Sequence, residues 1–185
     1  MGDWDYDTWF EDVVRYVGRD EIDWDLIPHS NAGEGRIGVG GGIWSSADVD
    51  RLVEAGFTHV VCAAEELDAL SVRLAGDRLT VLPNGTDDDG RPKSPSWFGR
   101  ILSFSLDALR DPNGRVYFHC AAGINRGPSA AYVVLRALGH TRTEAFRLIR
   151  DARSEAGILY ADSADAALER LGLTGTDRWL EATPA

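Results

Sequence analysis

The stretch from Arg115 to Gly139 constrains the fold most. Arg115–His119 (RVYFH) has the composition of a strand, and Cys120–Arg126 is a short loop with one glycine. Ser129–Leu138 is an apolar window of helical length that Gly139 can end. The alternation recurs along the chain. Arg36–Gly40, Thr58–Cys62 and Leu79–Leu82 read as strands. Ser46–Ala55, Ser96–Leu109, Thr141–Arg153 and Asp162–Leu171 read as helices, with Ser46 and Thr141 as N-caps. Glu65–Leu70 is a short helix or loop, and Asp20–Asn31 is a polar connection. Pro83–Pro95 holds three prolines and two glycines and reads as a loop. Strands alternating with helices predict one α/β domain, a central and mostly parallel sheet flanked by helices. Trp4, Trp9, Phe10, Val13, Val14 and Val17 recur at helical spacing. Residues 1–23 are therefore expected to form a helical extension packed on a domain of residues 24–172, and residues 173–185 a polar tail.

Composition narrows the function. At 185 residues and 44% hydrophobic, the chain can build one core without staples. Nineteen basic against thirty acidic residues leave a net charge of −11, which repels nucleic acid and anionic membranes. The two cysteines, Cys62 and Cys120, are too few and too far apart for a disulfide scaffold or a cysteine zinc site. The acidic N-terminus lacks the pattern of a signal peptide, which points to the cytoplasm, where cysteines are more often reactive than structural. Gly33–Gly38 spells G-x-G-x-x-G, but the candidate strand lies inside it, so a turn and a tightly packed strand are expected rather than a dinucleotide site. Asp87-Asp88-Asp89-Gly90 lacks the alternating ligands of a calcium loop. His29, His59 and His140 have no metal-ligand spacing, and no metal or other cofactor is expected.

His119-Cys120-Ala121-Ala122-Gly123-Ile124-Asn125-Arg126 carries the chemistry. A loop that opens a helix turns backbone N–H groups inward, a cradle for a phosphate dianion. Ala121, Ala122, Gly123, Ile124, Asn125 and Arg126 would supply those amides, with Gly123 allowing the tight path. Arg126 can curl back and grip two oxygens as a fork. Such positive surroundings favour a thiolate at Cys120, poised beneath the phosphorus. His119 is expected to hydrogen-bond loop backbone. Thiolate attack leaves an alkoxide or phenoxide that needs an acid, and Pro83–Pro95 supplies three aspartates.

H-C-x5-R between a strand and a helix resembles the signature of the cysteine-dependent protein phosphatases. Asp88-Asp89-Gly90-Arg91-Pro92-Lys93-Ser94-Pro95 resembles their acid loop, and Asp88 lies nine residues before Trp97-Phe98, a spacing similar to that of the dual-specificity group. The resemblance implies a dual-specificity phosphatase-like three-layer sandwich over residues 24–172. It also implies Asp88 as general acid, with Asp87 and then Asp89 as substitutes. The expected activity is hydrolysis of a phosphorylated protein or small phosphoester through a phosphocysteine. The family usually has Ser or Thr directly after the arginine, whereas this chain has Gly127. Slow release of the phosphocysteine follows as an expectation, unless Ser129 substitutes. The absence of basic residues between Cys120 and Arg126 disfavours phosphoinositides. Gly123–Arg126 is similar to the RNA 5′-triphosphatase loop, and Arg91, Lys93 and Arg100 could form a basic patch, so that activity is one alternative. A slow-turnover phosphoprotein-binding module is the other. Cys62, at the end of its strand, is a buried thiol or a redox partner for Cys120.

Overall fold

The computed structural model describes residues 22–27 and 30–173. The helix expected over residues 4–17, His29 and all but the first residue of the expected tail lie outside the described residues. Among the described residues five strands, β1 (Trp24–Ile27), β2 (Ile37–Gly40), β3 (His59–Ala64), β4 (Thr80–Thr86) and β5 (Val116–His119), form one sheet ordered β1-β2-β5-β3-β4. The last four pair in parallel, and β1 runs antiparallel to β2. The helices are α1 (Ser46–Glu54), α2 (Asp68–Ala75), α3 (Pro95–Arg110), α4 (Arg126–Ala137), α5 (Arg142–Ala152) and α6 (Ala161–Leu171), with a 3-10 turn at Glu65–Leu67.

The two-residue period of the strands builds three layers. Val116 and Phe118 of β5 face one side with Val61 and Val39. There they meet Phe98 and Ile101 of α3, Val133 of α4, Ile149 of α5 and Leu168 of α6. Tyr117 and Val60 face the other side, against Val49 and Leu52 of α1 and Ala75 of α2. Nearly every residue of α4 is buried, as its unstriped apolar sequence requires.

The structure corrects several boundaries. The connection read as polar over Asp20–Asn31 contains β1, whose pairing with β2 overrides its weak local pattern. β3 runs on to Ala64, and β4 runs through Pro83 to Thr86. Proline is tolerated there because β4 is an edge strand. The cap of α1 is Ser45 rather than Ser46, in a reciprocal box with Asp48. Thr141 caps α5 as expected, in a box with Glu144. α4 begins at Arg126, three residues before the sequence boundary, because Pro128 fits a first helical turn.

Phe98 is fully buried and meets Trp97 edge-on at 4.7 Å between ring centroids. Phe98→Ala should cost about 3–5 kcal/mol in urea unfolding, the usual toll of a large core cavity.

Candidate active site

Three neighbouring strands end at one edge of the sheet, and a chemically capable side chain follows each. Cys120 follows β5, Glu66 follows β3, and Asp88 follows β4. Ligands in open α/β sheets bind at this carboxyl edge. Cys120 is buried, and Arg126 opens α4.

The loop between them is turned by its surroundings. Gly42 N–H donates to the Ala121 carbonyl at 3.0 Å, and Gly157 N–H to the Ile124 carbonyl at 2.7 Å. Arg153 donates to the carbonyls of Ala122 at 3.2 Å and Gly123 at 2.8 Å. A trans peptide points its N–H opposite the preceding carbonyl. Drawing these four carbonyls into the framework therefore turns the amides of Ala122, Gly123, Ile124 and Asn125 the other way. Gly123 has φ +68, and a Cβ there would overlap the Gly40 carbonyl group, so only glycine fits. Asn125 occupies the N-cap of α4, yet its side chain makes no cap. It donates to Asp88 at 2.6 Å and accepts from Leu159 N–H at 2.6 Å. The first-turn N–H groups are thus left to an anion.

Arg126 is held by protein groups on one side of its guanidinium. Its two terminal nitrogens donate to the Glu66 carboxylate at 2.8 and 2.7 Å, a bidentate pair, and one also donates to the Thr86 carbonyl at 3.0 Å. Burial pulls the guanidinium down, but Glu66, Cys120 and Asp88 more than offset this and leave it raised. Burial pushes Glu66 up, while Arg126 overrides it and leaves the carboxyl below its usual range. Nε of Arg126 is buried without a hydrogen-bond partner and lies 3.5 Å from Asp88 Oδ2. Three of the five guanidinium N–H groups are engaged. The edge formed by Nε and the remaining Nη2 hydrogen is the one open to a phosphate.

The three candidate aspartates separate by geometry. Asp88 reaches Asn125, Arg126 and the Tyr160 hydroxyl. The Asp89 carboxylate binds Lys93 at 2.7 Å instead, and that ammonium holds it below its usual range. Of Asp87, the backbone carbonyl comes near the Tyr160 hydroxyl at 3.5 Å, a longer approach than the 2.9 Å to Asp88 Oδ1 that takes the single phenol proton.

Of the supporting residues, His119 is fully buried, with Nδ1 3.4 Å from the Cys120 carbonyl and Nε2 3.3 Å from Ser71 Oγ. A carbonyl only accepts, so Nδ1 carries the proton and Nε2 accepts from Ser71. Burial pulls His119 down to about 4, so it is neutral at pH 7. Ser129 Oγ accepts from Tyr160 N–H at 3.2 Å. At Gly127 a Cβ would stand 2.9 Å from the His119 carbonyl carbon and 3.1 Å from Cys120 N, so glycine lets α4 approach β5 closely. Cys62 pairs in register with His119 and shares a small buried cluster with Cys120, and both are free thiols. Burial pushes the Cys62 thiol well up, a protonated state that is poorly reactive.

Glu66, Arg153 and Tyr160 are the site residues that sequence reasoning missed. None shares a local motif with the loop, although Glu65-Glu66 directly after a buried strand is a signal at the same sheet edge as Cys120.

No family model matches the chain. Mouse (Mus musculus) dual specificity protein phosphatase 1 is 32% identical over 69 residues, which are 37% of this chain and 18% of that protein. Human dual specificity protein phosphatase 4 is 33% identical over 69 residues, 37% of this chain and 17% of that protein. The chain thus matches under a fifth of the length of these curated relatives. Among solved structures, PTPMT1 in complex with PI(5)P superposes with a TM-score of 0.63 at 17% identity, over 80% of this chain and 98% of that one. The human tyrosine phosphatase-like serine/threonine/tyrosine-interacting protein gives 0.63 at 18% identity, over 84% of this chain and 100% of that one. The resemblance to the cysteine-dependent dual-specificity phosphatases therefore holds for the fold, and in sequence over the matched segment.

His119 gives a test of the buried framework. Its folded value near 4 lies below the unfolded value of about 6.5, so the unfolded chain binds the extra proton between them. Stability is complete above that window and falls by up to about 3 kcal/mol as the pH drops through it. His119→Asn keeps a donor for the Cys120 carbonyl but does not titrate. It should flatten the loss between about pH 6.5 and 4 in chemical unfolding, leaving the slope from His59 and His140, which burial also pulls down.

Proposed function

We propose that this protein is a phosphomonoester hydrolase of the dual-specificity phosphatase type, acting on a phosphorylated protein side chain or small phosphoester. One arrangement carries the reading. Cys120 opens a loop of convergent amides, the free edge of Arg126 borders it, and Asp88 stands 3.5 Å from that edge. In the first step the Cys120 thiolate attacks phosphorus. The phosphorus–oxygen bond breaks as protonated Asp88 gives its proton to the leaving oxygen. In the second, the Asp88 carboxylate takes a proton from water as the oxygen attacks the phosphocysteine, and the thiolate leaves. Arg126 and the amides hold the equatorial oxygens throughout.

Charge around the site supports this substrate over others. PTPMT1 was solved with PI(5)P, but Ala121–Asn125 offer no cationic side chain to a phosphorylated inositol headgroup. The RNA 5′-triphosphatase reading loses support because all three of its basic residues are engaged, Arg91 with Asp89 at 3.7 Å among them. Lys93 pairs with Asp89, and Arg100 donates to Asn84 at 2.5 Å.

Cys120→Ser should abolish hydrolysis of p-nitrophenyl phosphate, a loss of at least about 10³-fold, while retaining tungstate binding by calorimetry. Substantial residual turnover in that variant would refute the mechanism. Gly127 brings no hydroxyl to the sulfur, so stopped-flow traces should show a burst of p-nitrophenol before a slow steady state. Gly127→Ser should raise the steady-state rate relative to Gly127→Ala, which controls for the cost of the added Cβ. Equal rates in the two would remove the hydroxyl from the explanation.

A further inference from the structure

The link between α5 and α6 is tied to both halves of the site. Toward the nucleophile loop, Gly157 N–H donates to the Ile124 carbonyl at 2.7 Å and Leu159 N–H to Asn125 Oδ1 at 2.6 Å. Tyr160 N–H donates to Ser129 Oγ at 3.2 Å. To present these donors the chain passes through Ile158 at φ +52, the sole non-glycine residue with positive φ among the described residues. A β-branched residue is strained there and is held only where its neighbours over-determine it.

Toward the acid loop, the Tyr160 hydroxyl donates to Asp88 Oδ1 at 2.9 Å and accepts from Gly90 N–H at 3.3 Å. Lys93 N–H donates to Ser163 Oγ at 3.3 Å, and its ammonium sits 4.7 Å above the Tyr160 ring. Asp88 Oδ1 thus accepts two hydrogen bonds, from Tyr160 and from Asn125 Nδ2. An oxygen so occupied is a poor seat for a proton. Oδ2 faces Arg126 Nε at 3.5 Å, and once a phosphate takes that guanidinium edge Oδ2 is the oxygen left to carry the proton.

We propose that Tyr160 is a positioning residue for the general acid, which with Asn125 commits Asp88 Oδ1 as acceptor and directs the proton-bearing Oδ2 over the phosphate cradle. This rests on the hydrolase reading and on Asp88 as its acid. Tyr160 itself touches no reacting atom. Its ring packs under the acid loop, and its hydroxyl sets the rotation of the carboxyl group.

Tyr160→Phe keeps the ring and removes the hydroxyl. It should lower kcat about tenfold on phenyl phosphate, whose leaving group needs protonation, and less than about twofold on p-nitrophenyl phosphate. The tungstate inhibition constant should stay unchanged. In an Asp88→Asn background, Tyr160→Phe should have no further effect on either substrate, because a residue acting through Asp88 has nothing left to position. Equal loss on both substrates, or a further loss in the Asp88→Asn background, would overturn the role of Tyr160. If Asp88→Asn alone falls equally on the two substrates, Asp88 is not the acid, and the failure belongs to the underlying reading.

Discussion

Arg153, only 3% exposed, grips the carbonyls of Ala122 and Gly123 and pairs with Asp23 at 2.8 Å, Asp25 at 2.9 Å and Glu155 at 3.2 Å. A buried guanidinium is tolerable only when its charge and its donors are all met. Asp25 lies on β1 and Asp23 just before it, so the antiparallel edge strand delivers the counter-charges that let Arg153 stay inside. With Arg153 fixed, two loop carbonyls are committed, and the amides that follow them must face the cradle. The edge strand thus acts on the site through one arginine and two peptide planes.

What was legible in the sequence was local. The strand, loop and helix of residues 115–138 carry their own pattern, and the spacing from Cys120 to Arg126 lies within one turn of chain. Asp88 was singled out by the resemblance of Asp88–Pro95 to an acid loop, with Asp87 and Asp89 as substitutes, and that loop ends in Ser94 and Pro95, which cap and start α3. β1 was not legible, because Trp24-Asp25-Leu26-Ile27 is four residues long, is preceded by acidic residues and becomes a strand only by pairing with β2. Glu66 lies sixty residues before Arg126 and reads in isolation as a solvated acid beside Glu65. Tyr160 comes to Asp88 through a link whose shape depends on a strained residue, and periodicity carries no trace of that. The missed residues are those that tertiary structure alone brings to the loop.

The acidity of the chain takes a more specific meaning at this edge. Glu66 and Asp88 flank Arg126, and Asp23 and Asp25 flank Arg153, so each buried cation is largely neutralised by carboxylates. On the proposed reading, the pull on a dianion would therefore come less from net positive charge than from oriented amides and one open guanidinium edge. Such dipoles act at close range, which suits a compact phosphate more than an extended polyanion.

Asn125 has the side chain of a good helix cap and spends it on Asp88 and Leu159 instead. A missing cap weakens a helix by about 1 kcal/mol, and α4 runs through the middle of the core. An anion seated at its N-terminus supplies the acceptors that Asn125 withholds. By mass action, occupancy of the cradle then becomes a component of folding stability. On the proposed reading, the molecule would be most robust with its cradle filled, and emptying the cradle would return α4 to its uncapped, more fragile form.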